Sequence, residues 1–329
     1  VHRACSARRP ASFGFPGPNP CRPGSFASPQ IPRYIQIHLA ETQLFALTSS
    51  PTASTSRRPK IILRAKTGWQ PVDIRELWEF RELLLILALR DIKVRYKQTV
   101  LGVAWAIIQP FFTMVVFTIL FAGLGRLPTD GVRPEVFYYC GMLPWQLFAT
   151  SMASAGISLL NSQNLITKTY FPRLFIPMAS VVTGLIDFAI AFTVLLALML
   201  WFRVAFHPQI VFLPVFVALG FFAAMAVGLW LSALSVEYRD VRYVIPFLTQ
   251  FWMFATPIIY PSSIVKSEWK KMLLGLNPMS GVVEGFRWCM IGTPMSSREV
   301  VVSAVTIFLT LIGGAFYFRR MEKTFADLV

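Results

Sequence analysis

The sequence predicts an all-α polytopic membrane protein with six transmembrane helices, an amphipathic N-terminal interface helix, and short re-entrant helices on the external side before the last span. Three observations carry that prediction. Of 329 residues, 55% are hydrophobic and 14% charged, whereas ordinary soluble domains carry about 25% charged residues. Mean hydropathy is +0.57. Uncharged apolar windows of about 20 residues, the length that crosses a hydrocarbon core, recur along the chain.

The net charge of +15 is unevenly divided. Residues 1–66 hold ten Lys/Arg against Glu41 alone, and nine of the 23 prolines fall before residue 60. That composition does not bury a core, so residues 1–66 are expected to be a disordered or non-native basic leader. An organelle transit peptide shares the same Arg- and Ser-rich, acid-poor composition. A basic surplus suits nucleic acid or anionic lipid headgroups. The apolar windows favour membrane lipids, and no nucleic-acid partner is expected. Cys5, Cys21, Cys140 and Cys289 show no CxxC or Cys/His spacing, so no metal site is expected.

Residues 67–99 form the predicted cytoplasmic interface helix. Asp73 can cap its amino end with Glu76 three residues on, as in a capping box. Leu77, Phe80, Leu84 and Ala88 recur every three or four residues and define one apolar face. The run Leu83–Leu89 is too short to span and is flanked by Arg81-Glu82 and Arg90-Asp91, which places it at the headgroup boundary.

Six windows of residues 100–329 reach spanning length: about 100–124, 136–160, 176–202, 210–234, 244–260 and 300–318. The fifth is short and begins beside Pro246. A further stretch, Met272 to Gly292, contains Asn277-Pro278, Glu284 and Arg287, and a full span would bury both charges at a cost of several kcal/mol. Two short helices dipping into one leaflet fit it better, with Glu284 and Arg287 able to pair at i, i+3. The positive-inside rule supports six spans with both termini cytoplasmic. Arg319, Arg320 and Lys323 then follow the last span on the inside, joined there by Lys168, Arg173, Arg239 and Arg242.

Five separated motifs share one pattern: RDIKVRYKQTVLGVAWAIIQP (90–110), YYCGMLPWQLFATSMASAGISLLNSQNLITKTYFPR (138–173), LSALSVEYRDVRYVIPFLTQFWMFATPIIYP (231–261), LNPMSGVVEGFR (276–287) and FADLV (325–329). Together they resemble the membrane subunit of ABC-2 type polysaccharide exporters, permeases that move lipid-linked O-antigen, capsule or teichoic acid chains across the bacterial inner membrane. The resemblance covers about residues 74–329. It implies a second copy of the chain, a separate ATP-binding cassette subunit carrying ATP and Mg, and a lipid-linked glycan as substrate. The chain has no GxxxxGK[ST] loop, so it is expected to be a permease without ATPase chemistry and to bind no cofactor of its own.

Within that resemblance, Arg90, Lys93, Arg95 and Lys97 are candidates for the diphosphate headgroup, since Lys and Arg make charge-assisted contacts to phosphate. Arg90, Lys93 and Lys97 share one side of a helical wheel and Arg95 points away. Plain binding to anionic lipid, or a topology anchor, would use the same residues. Trp105, Trp145, Phe148, Trp252 and Tyr260 are candidates for a channel wall, because flat apolar rings tolerate sugars sliding past. The competing role is the interfacial aromatic belt, which suits Trp145 by its depth. The loop 161–173 resembles the coupling segment that docks into the ATPase, with Asn164, Lys168, Tyr170, Phe171 and Arg173 as contacts and Arg239 as a second contact point. A bare connector is the plainer role for it.

Asp187 is the only acid well inside a predicted span. Either it is hydrogen-bonded at a helix interface near Thr183 and Gly184, or it serves an ion-coupled carrier. Two more functions are compatible with the sequence: an ABC-2 exporter of a drug or small lipid, and a membrane enzyme acting on polyprenyl substrates. The enzyme would need an acidic or His cluster, whereas His2, His38 and His207 are scattered.

Overall fold

The computed structural model describes residues 78–97, 102–168, 171–264, 267–322 and Phe325, all within one unit, Lys66–Val329. The expected leader, Asp73, Glu76, Leu77 and Tyr170 lie outside the described residues. The described residues are helical throughout, joined by short turns. Among the described residues, four helices are long and apolar enough to cross a membrane: Ala104–Leu124, Phe175–Trp201, Pro208–Glu237 and Ser297–Met321.

Helix α1 (Arg81–Lys97) buries Leu87 and Ala88 against its neighbours and leaves Leu85, Ile86, Leu89 and Val94 exposed. A soluble protein rarely exposes so dense an apolar run, and lipid is the solvent that suits it. Helix α2 (Gly102–Phe117) contains Pro110, which lacks the amide hydrogen that would bond back along the helix. It continues as a π-helical turn, Thr118–Leu124, closed by the Gly125 amide donating to the Leu120 carbonyl at 2.8 Å.

Helix α3 (Pro134–Asn161) is the hub, packed on the helices before and after it and buried at every residue from Val136 to Trp145. Its 28 residues give about 42 Å of length, yet it is not among the four most apolar helices. The reason is its position. A helix wrapped by protein need not be apolar all round, and α3 carries Gln146, Thr150, Ser151 and Ser158, of which Thr150 and Ser158 donate back to the Gln146 and Ala155 carbonyls of the same helix at 2.8 and 2.7 Å. Small residues let neighbouring helices approach: a Cβ on Gly184 would lie 1.9 Å from the Ser151 Oγ, and one on Gly228 2.8 Å from the Ala155 Cβ.

After α4 (Gln163–Lys168), helix α5 (Phe175–Trp201) and helix α6 (Leu213–Glu237), the latter preceded by a 3-10 turn at Pro208–Phe212, flank α3. Helix α7 (Val241–Ala255) occupies the fifth expected window but ends at Ala255, giving about 22 Å. Pro257 explains the early stop. The residue before a proline is driven out of helical geometry, and Thr256 is extended at ψ 140.

The Met272–Gly292 stretch forms two helices, α8 (Glu268–Gly275) and α9 (Pro278–Ile291). Asn277 caps α9 by accepting the Met279 amide at 3.1 Å, with Pro278 in the first helical position. Gly292, left-handed at φ 70, ends it. Glu284 and Arg287 are not bonded to each other. Ser262 donates to Glu284, while Arg287 donates to the carbonyls of Pro257 (2.8 Å) and Ile258 and lies 3.8 Å from the Phe137 ring centroid. The turn at 256–261 leaves carbonyls without helical partners, and the guanidinium fits them better than it fits a neighbour on its own helix. Helix α10 (Ser297–Met321) closes the chain against α6, with Trp230 donating to the Thr310 carbonyl at 3.1 Å and stacking on Tyr317 at 4.8 Å.

Candidate functional site

Arg95 and Tyr96 are consecutive on α1, and both turn inward to the same carboxylate. Arg95 forms an ion pair with Asp187 Oδ2, Tyr96 donates to Asp187 Oδ1, and the second Arg95 nitrogen donates to Ser154 Oγ at 3.2 Å. Asp187 sits within a helix otherwise apolar enough to span a bilayer, where an isolated charge is costly. Arg95 and Tyr96 supply that charge with partners and fasten α1 to α5. Burial, then the bond to Asp187, pushes the Tyr96 phenol well above its ordinary range, so it stays a donor. Thr183, the expected neighbour, bonds instead to the Ala179 carbonyl at 3.0 Å. With both oxygens of Asp187 engaged, it is a joint between helices.

Beside this joint, α1, α2, α3 and α5 enclose a cavity of about 310 Å³. Arg95, Tyr96 and Asp187 close one side, and Trp105, Gln109 and Gln146 contribute a broad ring and two amides. Each amide offers donors and acceptors, and the indole offers an apolar face, a combination matched to a hydroxylated ring with C–H faces. Gln109 and Gln146 were legible as polar residues inside apolar windows, although charge and aromaticity are the stronger signals and point to other positions.

The remaining basic residues of α1 lie apart from this cavity. Arg90, Lys93 and Lys97 are exposed, with Arg90 bonded to the adjacent Asp91 at 2.9 Å. The candidate aromatics separate into two groups. Trp105 is 56% exposed, whereas Phe148 is wholly buried and Trp145 is 2% exposed. A belt residue faces the bilayer interface, so Trp145 is a packing residue here, 5.4 Å from Phe148. Phe148 meets Trp252 edge-on at 5.2 Å, and Trp252 donates to the Asn277 side chain at 2.9 Å, which donates in turn to Thr256. These rings join α3, α7 and α9. Tyr260 is half-buried.

At the opposite end of α3 from its proline start, the chain gathers α4, the α6–α7 turn and the end of α10. Tyr317 reaches Glu237 at 3.4 Å, and Arg173 reaches Glu322. On α4, Asn164 and Lys168 are exposed above the buried Ile166, and Arg239 is exposed in the neighbouring turn. Phe171 is buried. Arg173 points into the protein, donating its amide to the Glu322 carboxylate at 3.2 Å and its side chain to the Glu322 carbonyl at 2.6 Å. Glu322 was not foreseen from the sequence. Its only local signal is an acid three residues after Arg319. No group of three or more metal-ligating side chains occurs among the described residues.

Known proteins resemble this chain over nearly their whole length. It is 29% identical over 259 residues to the O-antigen export system permease protein RfbA of Myxococcus xanthus, covering 78% of this chain and 98% of that one. Identity is 24% over 251 residues to the Klebsiella pneumoniae protein of the same name, covering 75% and 95% respectively. It is 25% over 242 residues to the polysialic acid transport protein KpsM of Escherichia coli, covering 72% and 92%. The model of the ABC-2 type transporter family matches residues 82–291, from the first turn of α1 to the last of α9. The multi-pass helical fold and that match together place this chain in the ABC-2 type transporter family.

Proposed function

We propose that this chain is the membrane-spanning permease subunit of an ATP-driven exporter of a lipid-linked polysaccharide of the O-antigen or capsule class. The observation that carries the reading is that the relatives named above, aligned over nine-tenths or more of their own length, are polysaccharide export proteins. ATP and Mg act on a separate ATP-binding cassette subunit, and two copies of the chain form the path. The protein resides in a bacterial inner membrane with both termini cytoplasmic. Helices α3 and α7 complete six spans, and α8 and α9 are re-entrant from the external side.

In this mechanism the exposed Arg90, Lys93 and Lys97 meet the diphosphate at the cytoplasmic face, where ammonium and guanidinium groups suit phosphate. Arg95 anchors the helix that presents them. Trp105, Gln109 and Gln146 then meet the first sugars, with Trp252 and Tyr260 further along the wall. Stacking on rings is tolerant of sequence, which a polymer moving one residue at a time requires. The exposed face of α4, with Asn164 and Lys168, and Arg239 beside it receive the ATPase.

Deletion in the native host tests the function. Loss of surface polysaccharide with its accumulation inside the cell is expected, restored by the intact gene, and unchanged surface polysaccharide overturns the reading. Reporter fusions at the 125–133 and 203–207 loops should report the outside, and cytoplasmic signals there overturn the topology.

A further inference from the structure

The loop between α3 and α5 is tied to the helices that follow it in two ways. One is covalent: after Pro172 the chain runs straight into α5, where the Phe175 and Ile176 amides return to the carbonyls of Pro172 and Arg173. The other is a clamp to a helix nearly 150 positions away in sequence. The Arg173 amide donates to Glu322 Oε1 at 3.2 Å, its guanidinium donates to the Glu322 carbonyl at 2.6 Å, and Arg319 donates to Glu322 Oε2 at 3.1 Å. One acid therefore binds the loop with one oxygen and its own helix with the other.

The surroundings make this clamp stiff. Phe318 and Phe325 are both fully buried and meet edge-on at 5.3 Å, fixing the chain on either side of Glu322. Phe171 and Ile166 are buried under the loop. Helix α10 is in turn seated on α6, where a Cβ added to Gly314 would lie 2.9 Å from the Trp230 ring. A displacement of α4 thus has a built path through Arg173 and Glu322 into α10, separate from its path into α5.

We propose that Glu322 is a positioning residue for coupling, holding the α4 loop to the end of α10 so that both move as one body when the ATPase turns over. This rests on the reading of α4 as the ATPase contact. In that role Arg173 faces inward and transmits, while the exposed Asn164 and Lys168 make the contact. Removing the clamp leaves the ATPase bound and active but divides its stroke, because α5 follows the loop and α10 does not.

The test uses the full chain, purified with its ATP-binding partner and reconstituted in lipid, with spin labels at Gln163 on α4 and Leu309 on α10. Both positions are exposed. On adding Mg·ATP with vanadate, the distance between the labels should stay constant in the unaltered chain and change in R173A/E322A, which loses the guanidinium and the carboxylate together. E322A, in which the Glu322 carbonyl still accepts from Arg173, should lie between. Export per ATP hydrolysed should fall about tenfold in R173A/E322A, in the range of ordinary coupling energies, while complex recovery and hydrolysis persist. A label distance in R173A/E322A that stays as constant as in the unaltered chain overturns the proposal, as does export loss that merely tracks loss of assembled complex. K168E separates the two levels. If K168E releases the ATPase and R173A/E322A behaves like the unaltered chain, only the clamp fails. If K168E retains the ATPase, the coupling assignment fails and the clamp proposal with it.

Discussion

Arg95 and Arg287 both turn inward in this protein, and they are satisfied in opposite ways. Arg95 meets a carboxylate and a hydroxyl contributed by two different helices, and its side chain keeps 36% of its surface exposed. Arg287 is 4% exposed and meets backbone carbonyls and an aromatic face. The first arrangement joins two elements that could each survive without the other. The second holds a turn whose carbonyls would otherwise be orphaned, so the fold around α9 depends on it. A charge matched by a charge beside a cavity makes a joint, whereas a charge matched by the backbone deep inside makes a rivet.

Breaking the rivet should have the largest effect. R287A leaves the Pro257 and Ile258 carbonyls without this donor and opens a void beside Gly141, costing about 3 kcal/mol or more. It should appear as loss of folded protein in the membrane and a lowered melting temperature in detergent; a melting temperature near that of the unaltered chain would show that water replaces the guanidinium. G141A attacks the same contact from the other side. A Cβ there would lie 2.3 Å from the Arg287 side chain, and forcing it aside should cost about 2 kcal/mol by the same melting measurement.

The joint should yield more gently. Because Asn keeps an oxygen for one of the two donors and the pair lines a cavity, D187N should cost only about 1 kcal/mol and leave export largely intact. D187A, which removes both acceptors, should release α1 from α5, measured as faster proteolysis within Arg81–Lys97. Complete loss of export in D187N at normal abundance would restore the carrier reading of Asp187. The smallest effect is expected of W252F. It keeps the ring against Phe148 and loses one bond to Asn277, about 1 kcal/mol or less, and it asks whether the 256–261 turn has a second fastening.

What could be read from the sequence follows the same division between local and distant causes. The windows for α2, α5, α6 and α10 were legible because lipid imposes a length and an apolarity that appear in any contiguous stretch. The end of α7 was partly legible, since Pro257 lies within the 231–261 motif, yet hydropathy carried the window on to Tyr260. Distant partners were not legible. Asp187 and Arg95 are 92 positions apart, and Arg173 and Glu322 are 149 apart. No periodicity within one helix encodes such a meeting. Trp145 illustrates the remaining gap, since depth along a helix suggested a belt while the helices packed all round that stretch placed the ring inside.

The burial of α3 has a consequence for which substitutions the chain can absorb. Helices that face lipid, such as α2 with Phe111, Phe112 and Val116 exposed, can exchange one apolar side chain for another and still satisfy their surroundings. Around α3 the neighbours are side chains of fixed shape, with Ala155, Met152 and Phe148 wholly buried. Adding even a few methylenes there forces other helices apart. The long helix most enclosed by protein should therefore be the least variable in side-chain size, and the lipid-facing ones the most freely rewritten.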